Sequence, residues 1–117
     1  MLEVVGSNYI QIETTFSKRE EAMEFAEKIL DAKLVADGQV SEIFTVYNFE
    51  GRRHSHSEFL LSMKTRAELF AKCEQFIKLH HPYKVPQIVA LPIECGSKDY
   101  LDWIDENAIN TKTVISW

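Results

Sequence analysis

The sequence predicts an α+β fold: one antiparallel sheet with its helices on a single face. Three observations carry this. "NYIQIETTF" sets Ile10, Ile12, Thr14 and Phe16 in alternation with Gln11, Glu13 and Thr15, the period of a strand with one buried face. Ala22, Phe25, Ala26, Ile29 and Leu30 then recur at helical spacing and form one apolar stripe. After a long hairpin, a helix-period stretch and a short apolar run repeat the helix–strand pair.

Taken in order, Ser17 stands three residues before Glu20, the spacing of a capping box. The first helix should end before "ADG", with Gly38 taking the left-handed turn geometry. "VSEIFTVYNF" carries apolar residues on both faces: Phe44 and Val46 on one, Ile43, Tyr47 and Phe49 on the other. Its β-branched and aromatic residues read as a strand covered on both sides. "EGRR" supplies the turn through Gly51, and "SEFLLSMK" returns with Phe59, Leu61 and Met63 facing inward.

Thr65 and Glu68 repeat the capping-box spacing, and Leu69, Phe70, Cys73, Phe76 and Ile77 form the stripe of a second helix. Pro82 disfavours helical geometry at the residue before it, so that helix stops at about His80. Pro86 leads into the strand "QIVALPIE". Pro92 cannot donate to a ladder and marks an edge or a strand end. Ser97 opens a short last helix with Tyr100, Leu101, Trp103 and Ile104, and "TKTVISW" is a candidate fifth strand.

The order β-α-β-β-α-β plus a short helix is the split βαβ, or ferredoxin-like, pattern. Such a sheet leaves one face bare. Yet Ile43, Phe44, Val46, Tyr47, Leu60 and Leu61 make the hairpin apolar on both faces. A large bare apolar surface is unusual for a monomer, so another subunit is expected to cover it.

The 117 residues fit one domain spanning 1–117, with 45% hydrophobic residues to fill a core. A net charge of −5 without a Lys/Arg stripe argues against nucleic acid, and no basic amphipathic face suggests a membrane surface. The start "MLEVVGSNYIQ" has no positive n-region, so no signal peptide is expected, and the two cysteines, Cys73 and Cys95, read as reduced thiols of a cytoplasmic protein. There is no G-x-S-x-G elbow and no glycine-rich phosphate loop among four glycines. No enzyme is expected.

His54 and His56 form an H-x-H pair on one strand face, and neutral imidazoles suit Zn, Cu or Ni. Glu58 shares that face, but four residues along a strand span about 13 Å. The alternative is a solvated hairpin end. His80 and His81 are adjacent at a helix end and point apart; His81 is either a structural group hydrogen-bonded to backbone or a ligand. Tyr83, Tyr100 and Trp103 could line a small-molecule pocket with Lys64 and Glu58, or pack a subunit interface. Cys73 lies on a helical stripe and reads as core; Cys95 is an incidental thiol or a soft metal ligand.

"SKREEAMEFAEKIL", "YNFEG", "LLSMKT", "HPYKVPQIVALPI" and "YLDWI", in this order between Ile10 and Ile104, resemble the CutA divalent-cation-tolerance family. The resemblance implies a ferredoxin-like protomer in a tight homotrimer similar to the PII signalling trimers. It implies a part in the response to divalent metal ions, copper among them, through a metal ion (copper or zinc) or small ligand held at intersubunit clefts. A PII-like signalling or scaffold trimer that binds a protein partner is the alternative. The shared positions are Glu58, Lys64, Thr65, His81, Tyr83, Pro86, Tyr100 and Trp103. Three departures stand out. Asp37 sits at or beside a place where many members carry cysteine, which removes a soft thiolate. Phe49 replaces a tryptophan, and "RRHSHS" replaces an acidic segment.

Overall fold

A computed structural model describes residues 2–110, with side chains from residue 8 onward; the "TKTVISW" strand candidate lies outside the described residues. The order is β1 (Leu2–Phe16), α1 (Arg19–Asp31), β2 (Gln39–Phe49), β3 (Arg52–Arg66), a 3₁₀ turn (Ala67–Leu69), α2 (Phe70–His80), β4 (Val89–Ser97) and α3 (Lys98–Asn107). The four strands form one antiparallel sheet in the order β2-β3-β1-β4.

Register explains the division of faces. Ile10, Ile12, Thr14 and Phe16 of β1 stand opposite Thr65, Met63, Leu61 and Phe59 of β3. Almost all of these are buried, in one core with Phe25 and Ile29 of α1, Cys73, Phe76 and Ile77 of α2, and Leu101 and Ile104 of α3. Each large apolar side chain removed from water there contributes roughly 1.5–3 kcal/mol. The alternate residues face the other way: Gln11 and Glu13 lie between Lys64 and Ser62 on one side and Leu91 and Val89 on the other. Val89 and Leu91 are exposed, so among the described residues no helix covers this face.

The hairpin runs past the rest of the sheet. Pairing of β1 with β3 stops at Phe16↔Phe59, whereas β2 and β3 stay paired to Phe49↔Arg52. Its far half is therefore a two-stranded ribbon. Phe44, Val46 and Phe49 on it are 82%, 62% and 57% exposed. The radius of gyration is 15.1 Å, against about 13.4 Å for a compact chain of this length. Glu50 and Gly51 both have positive φ (52° and 73°), as a two-residue type I′ turn requires.

Three local expectations are corrected. Neither capping box forms: α1 has Lys18 at its N-cap with no side-chain hydrogen bond, and Ser17 Oγ donates to Glu21 instead. Thr65 is buried inside β3 and donates to the Leu34 carbonyl at 2.6 Å. A buried strand residue meets a carbonyl before it can cap a helix that starts further on. Gly38 does not supply the left-handed residue. Lys33 does, at φ 61°, with Lys33 N–H bonded to Leu30 O and Leu34 N–H to Ile29 O, the Schellman pattern. Gly38 serves close packing: a Cβ there would lie 3.2 Å from Ala26 Cβ and 3.3 Å from Leu61 Cδ1.

Other signals match the fold. Helix α2 ends at His80, and Ser97 caps α3, its Oγ accepting from Tyr100 N–H. Pro92 sits in β4, which among the described residues is an edge strand paired with β1 alone.

Candidate functional site

Strand β3 carries the candidate side chains at two separate places. Glu58 and Lys64 are six residues apart, about 20 Å along a strand. Within one chain they do not share a pocket, and each gathers its own partners.

At the Lys64 end, the segment after α1 runs beside β3. Ala36 N–H donates to Lys64 O, and Lys64 N–H donates to Asp37 Oδ1 at 3.0 Å. Lys64 Nζ returns to Asp37 Oδ2 at 3.1 Å and to Gln39 Oε1 at 2.8 Å. Tyr100 OH donates to the same Asp37 oxygen at 3.3 Å, and its ring stacks on Trp103 at 5.6 Å. One carboxylate thus ties the loop after α1 to β3 and α3. Burial raises the Tyr100 phenol, and the Asp37 charge adds to this. The hydroxyl stays protonated as a donor. Asp37 and Gln39 were not among the predicted site residues.

At the other end, Glu58 accepts a short hydrogen bond from Thr45 Oγ1 (2.5 Å) and lies 3.8 Å from His56 Nε2. Tyr47 meets both hairpin histidines: His54 stacks on it at 5.3 Å and His56 approaches edge-on at 5.5 Å. Tyr83 is drawn to this end by the joint that follows α2. Burial raises its phenol, a hydrogen bond to Ser17 opposes this, and the charges of Glu58 and Glu21 add to the rise.

His81 is the pivot of that joint. Its buried ring stacks on Phe16 at 4.3 Å. Nε2–H donates to the Thr15 carbonyl at 2.8 Å, and Nδ1 accepts from Tyr83 N–H at 3.0 Å. The two partners define the neutral tautomer. Burial holds the pKa below the usual histidine value, and the Thr15 hydrogen bond and Glu21 oppose it. Both ring nitrogens are committed, so in this geometry His81 fills the structural alternative and has no lone pair for a metal. His80 points elsewhere. Its ring packs on Phe76, and Nε2 is buried without a hydrogen-bond partner among the described residues. It lines a cleft of about 130 Å³ with Glu21, Glu24, Lys28 and Pro82, room enough for water to satisfy that nitrogen.

The thiols fit a metal no better. Cys73 Sγ faces the Leu34 carbonyl, and burial pushes its pKa from 9.0 up to about 12. Cys95 is exposed on β4. Among the described residues no three His, Cys, Asp or Glu side chains converge to hold a metal ion. Also among them, no helix is long and apolar enough to cross a membrane.

The chain is an α+β protein: one four-stranded antiparallel sheet with three α-helices among the described residues. Residues 10–107 match the family model of the CutA1 divalent ion tolerance protein. The chain belongs to the CutA divalent-cation-tolerance family. It is 40% identical over 99 residues to the divalent-cation tolerance protein CutA of Archaeoglobus fulgidus, covering 85% of this chain and 95% of that one. The Thermus thermophilus protein of the same name is 37% identical over 94 residues, covering 80% and 91%. Among solved structures, CutA from Synechococcus elongatus superposes with a TM-score of 0.88 at 26% identity, covering 92% and 96%. The same protein complexed with a Bis-Tris molecule gives 0.83 at 25% identity, covering 92% and 99%. Relatives include a protein named periplasmic and one named chloroplastic.

Proposed function

We propose that the chain acts as a PII-like homotrimer of ferredoxin-like protomers, serving tolerance of divalent metal ions, copper-type ions included, through a metal ion or small ligand held in clefts between subunits. The exposed two-stranded ribbon carries this reading. An isolated hairpin is marginal in water, and Phe44, Val46 and Phe49 on this one face solvent. A second copy covering them supplies what the protomer lacks, and the strand order β2-β3-β1-β4 supports the ferredoxin-like description. In this reading, copies packed in a ring set the Glu58/Tyr83 end of one chain against the Lys64/Tyr100/Trp103 end of the next. The cleft so formed has aromatic walls and charges of both signs, and the Bis-Tris complex of the Synechococcus protein supports a small polar occupant. The role is binding rather than catalysis, in the cytoplasm.

A signalling or scaffold trimer with a protein partner is the second reading. The commitment of both His81 nitrogens removes one metal candidate without pointing to a protein partner. Sedimentation equilibrium at micromolar concentration tests the assembly: three times the 13.6 kDa chain mass is expected, and a monomer refutes it.

A further inference from the structure

The hairpin holds one pair of donor atoms at near-ligand spacing that neither the Lys64 cluster nor the His81 joint uses. His56 Nε2 and Glu58 Oε2 are 3.8 Å apart, too far for a hydrogen bond. A tetrahedral ion bonded to one imidazole nitrogen and one carboxylate oxygen at about 2.0–2.2 Å holds those atoms roughly 3.4 Å apart. A few tenths of an ångström separate the resting pair from a chelate. The carboxylate is already oriented, since Thr45 Oγ1 donates to it across the strand pair, the kind of outer partner that fixes a metal ligand. Side-chain exposure is 13% for Glu58 and 47% for His56, so the site opens toward solvent on the imidazole side.

We propose that His56 and Glu58 form a seat for a divalent transition-metal ion, Zn(II) or Cu(II), with water completing its coordination. Imidazole with carboxylate suits both ions. His54 is not a ligand: it lies four residues from Glu58, about 13 Å along the strand. The seat lies on the Glu58 wall of the intersubunit cleft proposed above; it rests on that metal-tolerance reading and deepens it by naming ligands that a single chain supplies.

The test is calorimetric titration of the full chain with zinc chloride. Wild type should take up one equivalent per chain. His56→Ala and Glu58→Gln should each weaken binding at least tenfold, and His54→Ala should stay within threefold. Unchanged affinity in His56→Ala overturns the proposal, as does an equal loss in His54→Ala, which would indicate an H-x-H chelate instead. Far-ultraviolet circular dichroism and solution mass on the same samples keep folding separate from binding. A trimer that takes up no zinc removes the seat alone; a monomer that binds zinc through His56 removes the assembly alone.

Discussion

Replacing Asp37 should loosen the junction of β3, α3 and the loop after α1. In Asp37→Ala the Lys64 N–H loses its carboxylate acceptor, a charge-assisted bond that contributes about 1.5–3 kcal/mol. The Lys64–Asp37 ion pair is also lost. At 17% and 19% side-chain exposure it is partly screened and adds under about 1 kcal/mol, the more so as Gln39 still accepts from Lys64 Nζ. The sum is about 1.5–4 kcal/mol. Asp37→Asn keeps an oxygen for the backbone N–H and loses only the charge, so it should cost about 1 kcal/mol. With unfolding entropy near 2.1 cal/mol/K per residue, 1 kcal/mol moves Tm by about 4 °C in a chain of this length. Thermal melts at one fixed chain concentration, which removes mass-action shifts, should fall by about 6–16 °C for Ala and about 4 °C for Asn. An Ala variant melting within about 2 °C of the parent would show that the carboxylate holds nothing together.

Lys33→Gly should raise stability by about 0.5–1 kcal/mol, read as a higher urea midpoint, because glycine adopts the left-handed geometry at φ 61° without the penalty of a Cβ. Cys73 keeps its proton in the fold up to about pH 12 but ionises near 9.0 when unfolded. Stability should therefore fall as pH rises from 9 toward 12, by up to about 4 kcal/mol, and Cys73→Ala should flatten that slope. His81 is held neutral by burial. Its contribution is present above the unfolded histidine value and declines as pH falls below about 6.5. Urea titrations between pH 7.5 and 5 should register this, less steeply in His81→Phe.

The strands and helices were legible because each buries one face, and alternation or a helical stripe records that in consecutive residues. Ile10 to Phe16 and Ala22 to Leu30 needed nothing else. Where a local rule competed with a tertiary contact, the contact won. Thr65 has the spacing of a capping residue, but its hydroxyl meets Leu34 O, thirty-one positions away. The candidate site was legible only as residue types. Lys64 meets Asp37 across 27 positions, and Tyr100 meets it across 63; no spacing rule reaches that far. Asp37 stood out as a departure from the family pattern, but its place as the shared acceptor of Lys64 and Tyr100 emerges only from the fold. His80 and His81 look equivalent in sequence and are not, because Pro82 turns the chain and carries only His81 onto the β1 carbonyl.

The two rims of the sheet are unequal. Among the described residues β2 forms one rim and carries no proline, whereas Pro92 in the other rim, β4, has no N–H to offer an incoming strand. Open edges are templates for endless edge-to-edge stacking. A copy adding along β4 must leave one carbonyl without its donor at every repeat, so fibre growth through that rim carries a recurring penalty. For a chain so rich in exposed aromatic and β-branched residues along its ribbon, a single proline on the far edge is a safeguard against amyloid-like polymerisation.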